Sequence, residues 1–137
     1  MRALALAGLL LAAVAGGCGA EEGSAAESAT ELRITLWPQG VGKRPTRRYT
    51  LRCNPAGGTL PRARRACEAL GRLRRAFAPV PRTMACTQLY RGPSEALVTG
   101  TFAGRPVRAR FDRTDGCRIA RWDRHRFLLP GTPAAPA

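Results

Sequence analysis

Five cysteines divide this chain of 137 residues into one plus four, and that division limits its fold more than any other feature. Cys18 closes an apolar N-terminal run, whereas Cys53, Cys67, Cys86 and Cys117 are spread through the remainder. An odd count in an exported chain leaves one thiol over. With Cys18 set aside, four cysteines remain for two disulfides, which can connect in three ways.

The N-terminus accounts for Cys18. Met1-Arg2 supplies one positive charge, and residues 3–15 are Ala, Leu and Val with a single Gly. These are the n-region and h-region of a signal peptide, too short to span about 30 Å of hydrocarbon. Ala15-Gly16-Gly17-Cys18 resembles a bacterial lipobox, in which the cysteine is acylated and becomes the first mature residue. Ordinary secretion with cleavage near Ala20 is the alternative. The chain is then expected on the outer face of the cell membrane as a lipoprotein, or secreted. Residues 1–17 form the leader, and residues 18–30, with no large apolar side chain, form a flexible acidic tether. Residues 131–137 form a similar tail rich in Pro and Ala, which leaves 31–130 as one ordered domain with a modest core.

Charge points first to an anionic partner. From residue 32 onward there are 22 basic and 5 acidic residues, a balance of +17. Such a domain could bind phosphate backbones or anionic surfaces. Against this, 22 of the 23 basic residues are Arg, in a chain rich in Ala, Gly and Pro, the signature of GC-rich coding. No zinc-finger spacing and no alternation of basic with aromatic residues accompanies the charge. Nucleic acid is therefore not expected as a partner, and attraction to an anionic membrane is the better reading.

Periodicity gives strands with one well-marked helix. Leu32, Ile34 and Leu36 alternate with Arg33 and Thr35, as in a half-buried strand. Tyr49, Leu51 and Cys53 alternate with Arg48, Thr50 and Arg52 in a second strand. Asn54-Pro55-Ala56-Gly57-Gly58 is a turn, after which Thr59 is expected as a helix N-cap with Pro61 in the first turn. Ala63, Ala66, Cys67, Leu70 and Leu73 form an apolar stripe at helical spacing, and the arginines around them form a solvated face. Pro79 and Pro81 exclude helix from the segment containing Cys86. Residues 96–102 and Val107, Ala109 and Phe111 form a hairpin about Ala103-Gly104-Arg105. A short helix around Ile119, Ala120 and Trp122 and an apolar Phe127-Leu128-Leu129 follow. The order implies an α+β fold with an antiparallel sheet.

Catalytic chemistry finds no support. His125 is the one histidine, flanked by Arg124 and Arg126, and no nucleophile is placed to use it. It is expected as an exposed residue on a basic edge. The four domain cysteines are separated by 14, 19 and 31 residues, unlike a zinc site. Asp112 and Asp115 are explained by turn chemistry. No metal, no cofactor and no enzyme activity are expected.

Leu51-Arg52-Cys53-Asn54-Pro55-Ala56-Gly57-Gly58-Thr59-Leu60-Pro61, followed by Ala66-Cys67-Glu68-Ala69-Leu70, resembles the Streptomyces subtilisin inhibitor family. So do Cys86-Thr87-Gln88-Leu89-Tyr90, Pro93 and Thr99-Gly100-Thr101-Phe102-Ala103-Gly104-Arg105-Pro106-Val107. With the lipobox, the chain is similar to a lipoprotein-type member. The resemblance implies disulfides Cys53–Cys67 and Cys86–Cys117, a five-stranded antiparallel sheet with two α-helices, and a homodimer built on the sheet. In the chain-entropy account, such disulfides contribute about 3 and 4 kcal/mol.

The resemblance also implies inhibition of an extracellular serine protease, subtilisin-like or trypsin-like, by a rigid substrate-like loop. The scissile bond would be Gln88–Leu89, with Cys86 and Thr87 on the acyl side and Tyr90 and Arg91 on the leaving side. Three positions depart from the family pattern. Gln88 stands where Met, Leu, Lys or Arg is usual, Gly92 is an extra residue before Pro93, and Leu60 replaces a His. The second reading, drawn from Gln88 and the charge, is a lipid-anchored surface binding module that keeps the scaffold without inhibiting.

Overall fold

The computed structural model describes residues 29–131, so the leader, Cys18, most of the tether and residues 132–137 lie outside the described residues. Strand β1 spans Thr30–Trp37, β2 Arg47–Cys53, β3 Glu95–Phe102 and β4 Arg105–Phe111. Helix α1 spans Ala63–Arg72 and α2 Gly116–Arg124, with a 3-10 turn at Arg126–Leu128. The strands form one antiparallel sheet in the order β2-β1-β3-β4.

Alternation in the sequence becomes two unlike faces. Leu32 pairs with Leu51 and Ile34 with both Tyr49 and Val98, so one side of the sheet is apolar across three strands. Leu32, Ile34, Leu36, Leu51 and Val98 are buried together with Ala66 and Leu70 of α1 and Trp122 of α2. Burying each of the larger side chains stabilises the fold by about 1.5–3 kcal/mol. Both helices therefore lie on this face, and the opposite face is open. Ala103 and Gly104, both at positive φ, make the tight β3–β4 turn, whose twist matches that of the paired strands.

The sheet has four strands among the described residues, not five. Residues 73–94 supply no further strand. Pro79, Pro81 and Pro93 cannot donate to a ladder, and no apolar alternation specifies a register there. An isolated antiparallel bridge joins Arg52 of β2 to Gly57 in the turn that follows.

Thr59 does not cap α1. Its amide donates to Thr50 Oγ1 at 3.1 Å, and its own Oγ1 accepts from Thr50 N at 2.9 Å, so the residue extends the edge of β2. The helix begins later, with Arg62 at the N-cap position in the left-handed region (φ 57°). His125 is not exposed either: it is 2% accessible. Its ring lies among Phe77, Phe111 and Phe127 at centroid distances of 6.0, 4.9 and 6.2 Å. Spaced three residues after Trp122, it falls on the inward side of the chain despite its arginine neighbours.

Candidate reactive loop

Cys53–Cys67 joins the end of β2 to α1, and Cys86–Cys117 joins the irregular segment to the first turn of α2. The second bond fixes the position of the residues that follow Cys86. Thr87 is then held by its backbone. Its carbonyl accepts from Gly116 N at 2.9 Å and from Leu89 N at 2.9 Å. The latter closes a three-residue turn around Gln88.

Gly116 lets the Thr87 hydroxyl lie close against the start of α2. A Cβ there would lie 2.0 Å from Thr87 Oγ1 and 3.4 Å from Thr87 Cβ. The turn that presents Gly116 is braced in turn. Asp115 caps α2 by accepting from Arg118 N at 2.8 Å, and Asp112 Oδ1 accepts from Thr114 N and Oγ1. Arg118 bridges both carboxylates, at 2.8 Å to Asp112 and 3.1 Å to Asp115. Such half-exposed pairs contribute little each, about 0–1 kcal/mol, but together they restrict one turn.

On the far side of Gln88 the chain is fastened again. Arg91 N donates to Arg113 O at 3.0 Å. Gly92 sits at φ +90°, which lets the chain reverse toward β3. Buried Ser94 donates from Oγ to Pro38 O at 3.0 Å, and Glu95 accepts from Val41 N at 3.2 Å. Between these fastenings Leu89 and Tyr90 are 51% and 65% accessible, and Gln88 is also exposed. A cavity of about 720 Å³, bounded partly by Val80, Met84, Leu89, Ala120 and Arg121, lies beside these attachments to α2. The segment is held at its ends and at Thr87, rather than packed from beneath.

Of the six residues singled out in the sequence, Thr87, Gln88, Leu89 and Tyr90 are exposed, and Cys86 and Arg91 at the two ends are half-buried. Gly116, Arg113 and Ser94 are structural supports that the sequence reading misses. A signal existed for one of them, because Asp115-Gly116 directly precedes Cys117.

Other chemistry is accounted for by the same framework. Cys86, Asp115 and Cys117 approach one another closely enough to suggest a metal site, but both sulfurs are consumed in the disulfide. His125 Nδ1 faces Arg121 O at 2.8 Å and Nε2 faces Ala76 O at 2.5 Å. A neutral ring can donate to one of these carbonyls, a charged ring to both. Burial dominates and lowers the pKa below its ordinary value, the two carbonyls oppose it, and Arg121 and Arg124 add to the lowering. No nucleophile is among its hydrogen-bond partners, so the ring ties residue 76 to α2 as a structural element. No helix among the described residues is long and apolar enough to cross a membrane.

Comparison with known proteins meets the same region. No curated protein matches the chain at a significant level. Among solved structures, the chain is similar to one in the crystal structure of Streptomyces caespitosus sermetstatin in complex with Bacillus licheniformis subtilisin. The two share 25% identity over 75% of this chain and 98% of that one, with a TM-score of 0.47. The subtilisin inhibitor-like family matches residues 19–114, which include the whole exposed segment from Cys86 to Arg91. The chain therefore belongs to the subtilisin inhibitor-like family, and it is a protease inhibitor, not an enzyme.

Proposed function

We propose that this chain is an exported inhibitor of subtilisin-class serine proteases that presents the Gln88–Leu89 bond in a preorganised loop. The observation that carries the reading is the double fastening of residues next to that bond. Cys86 is crosslinked to Cys117, and the Thr87 carbonyl is held by Gly116, while Gln88, Leu89 and Tyr90 stay exposed.

Preorganisation works in two ways. Ordering a flexible interface costs about 0.5–1.5 kcal/mol per immobilised side chain, and a loop already fixed avoids much of that cost. A standard inhibitor interface buries about 1,600 Å², so the saving is realised over a whole contact surface. After attack on Gln88, the new Leu89 amine would stay close to the acyl carbon. Its nitrogen is already bonded to Thr87 O, and Arg91 N to Arg113 O holds the leaving side. Religation then competes with hydrolysis.

Export and a lipid at Cys18 belong to the same proposal. The loop rejoins the sheet at Glu95, opposite Trp37, whereas the chain enters from the tether at Thr30. These ends lie about 25 Å apart along β1, so a tethered domain keeps its loop clear of the attachment point.

Gln88 favours one second reading, a scaffold retained for binding without inhibition, because a neutral amide in an apolar protease pocket costs about 1–3 kcal/mol. Titration of subtilisin and trypsin with the native chain, Gln88→Met and Gln88→Lys separates the two. The proposal expects native inhibition of subtilisin, strengthened about 5- to 100-fold in Gln88→Met. Absence of inhibition by all three proteins at micromolar concentration would leave only the second reading.

A further inference from the structure

The open face of the sheet is the part of the molecule that inhibition leaves unused. Residues whose neighbours point into the core point outward here, and the register sets them side by side. Arg48 and Arg52 stand on β2, Arg33 on β1, and Arg108 and Arg110 on β4, all five exposed. Most positions between them are threonine: Arg33 lies between Thr50 and Thr99, and Thr99 lies next to Arg108, while half-buried Leu97 lies between Thr35 and Arg110. Glu31 is the one carboxylate within this area, with Glu95 at the end of the sheet beside half-buried Trp37. The ion pairs among the described residues all belong to Arg118, so none of these five arginines is paired with a carboxylate.

We infer that this face docks onto an anionic phospholipid surface. Neighbouring strands lie about 4.8 Å apart and alternate residues about 6.7 Å apart along a strand. Arg108 and Arg110 therefore stand within a Debye length of about 8 Å, and Arg33 stands about one Debye length from both Arg48 and Arg52, so these groups repel one another. An anionic partner removes that repulsion and releases counterions. The layout selects the kind of partner. Two arginines on each edge strand and one between them make a two-dimensional array, which fits a plane of headgroups, whereas a linear polyanion follows a single row. A second copy laid face to face, the homodimer implied by the family resemblance, would gather the five exposed arginines of each copy into one interface. The contacts of the docked face also spare the loop. Cys117 and Gly116, which hold the loop, belong to α2 on the other side of the sheet. The inference stands on the sheet alone and does not depend on which bond the loop presents.

The test uses the exported chain carrying Cys18→Ser, so that no lipid anchor contributes. Cosedimentation is measured with vesicles of pure phosphatidylcholine and of phosphatidylcholine mixed with phosphatidylglycerol. Binding is expected to the mixed vesicles alone and to fall steeply with salt. The triple variant Arg33→Ala, Arg108→Ala, Arg110→Ala should weaken it on the order of a hundredfold. A variant of equal charge on α1, Arg64→Ala, Arg65→Ala, Arg72→Ala, should weaken it by less than about threefold, because the helix stands more than a Debye length from the docked face. Arg48→Ala with Arg52→Ala, on the opposite edge, repeats the test should the triple variant fail to fold, as judged by near-ultraviolet circular dichroism. Equal loss in the sheet and helix variants, no preference for phosphatidylglycerol, or a dimer in sedimentation velocity that the sheet variants dissociate would each overturn the inference.

Discussion

The carbonyl of Thr87 accepts the amide hydrogen of Gly116 at 2.9 Å, one residue before Cys117 closes its disulfide with Cys86. Two neighbouring residues of the loop are thereby joined to two neighbouring residues of α2, once covalently and once by a hydrogen bond. That pairing fixes both position and direction of the backbone entering Gln88.

Gly116→Ala tests the hydrogen-bonded half of this pairing. The added Cβ would meet Thr87 Oγ1 at 2.0 Å, so the side chain or the loop has to move. Overpacking of this kind costs about 1–3 kcal/mol, which predicts a thermal midpoint lowered by about 4–8 °C for each kcal/mol and, where the strain displaces the loop, inhibition weakened about 5- to 150-fold. Thr87→Ala removes the colliding oxygen. Inhibition constants for the double variant should therefore recover much of the loss, and a double variant no better than Gly116→Ala would contradict the steric account.

Cys86→Ser with Cys117→Ser tests the covalent half. The bond closes a separation of 31 residues and contributes about 4 kcal/mol in the chain-entropy account. Its loss should lower the denaturation midpoint strongly and convert an inhibitor into a substrate. Mass spectrometry after incubation with protease would show rapid conversion to fragments in the variant and slow conversion in the native chain. Equal stability and equal survival of the two proteins would contradict this role.

His125 predicts a particular pH dependence. Its pKa is lowered from 6.5 by burial, so the unfolded chain binds more protons than the folded one as pH falls below that value. Stability contributed by the neutral ring is complete above pH 6.5 and declines as pH drops toward the folded-state pKa. Thermal melts over this acidic range should show a decline in the native chain that is reduced in His125→Gln, which keeps a donor for one carbonyl but does not titrate. A native chain that gains stability on acidification would show instead that the charged ring, donating to both Ala76 and Arg121, is the favoured form.

Much of the fold is legible in the sequence because its strands and main helix obey simple periods. Leu32-Ile34-Leu36 alternation specifies β1, and the Ala66-Leu70 spacing specifies the inward face of α1. Less legible are places where a long-range contact overrides a local preference. Thr59 has the chemistry of a helix cap, but Thr50 offers it two hydrogen bonds across the edge of β2. His125 sits between two arginines, yet its place one turn beyond Trp122 carries it into the aromatic core. The fifth strand comes from family resemblance rather than from any alternation in residues 73–94, and none forms among the described residues. In the loop, the residues flanking Gln88 are legible from Cys86 onward. Gly116 is marked only by its place before Cys117, and Arg113 not at all, because their roles depend on backbone groups brought together from about 25 residues away in sequence.

The proposed reactive site is one peptide bond, and mapping the cut made by a stoichiometric amount of subtilisin tests it most directly. Prolonged incubation followed by intact-mass analysis under reducing conditions should yield paired fragments ending at Gln88 and beginning at Leu89. The uncleaved chain should persist beside them as religation competes with hydrolysis. A first cut at any other bond, or complete digestion without inhibition, would contradict the assignment of Gln88–Leu89 as the reactive site.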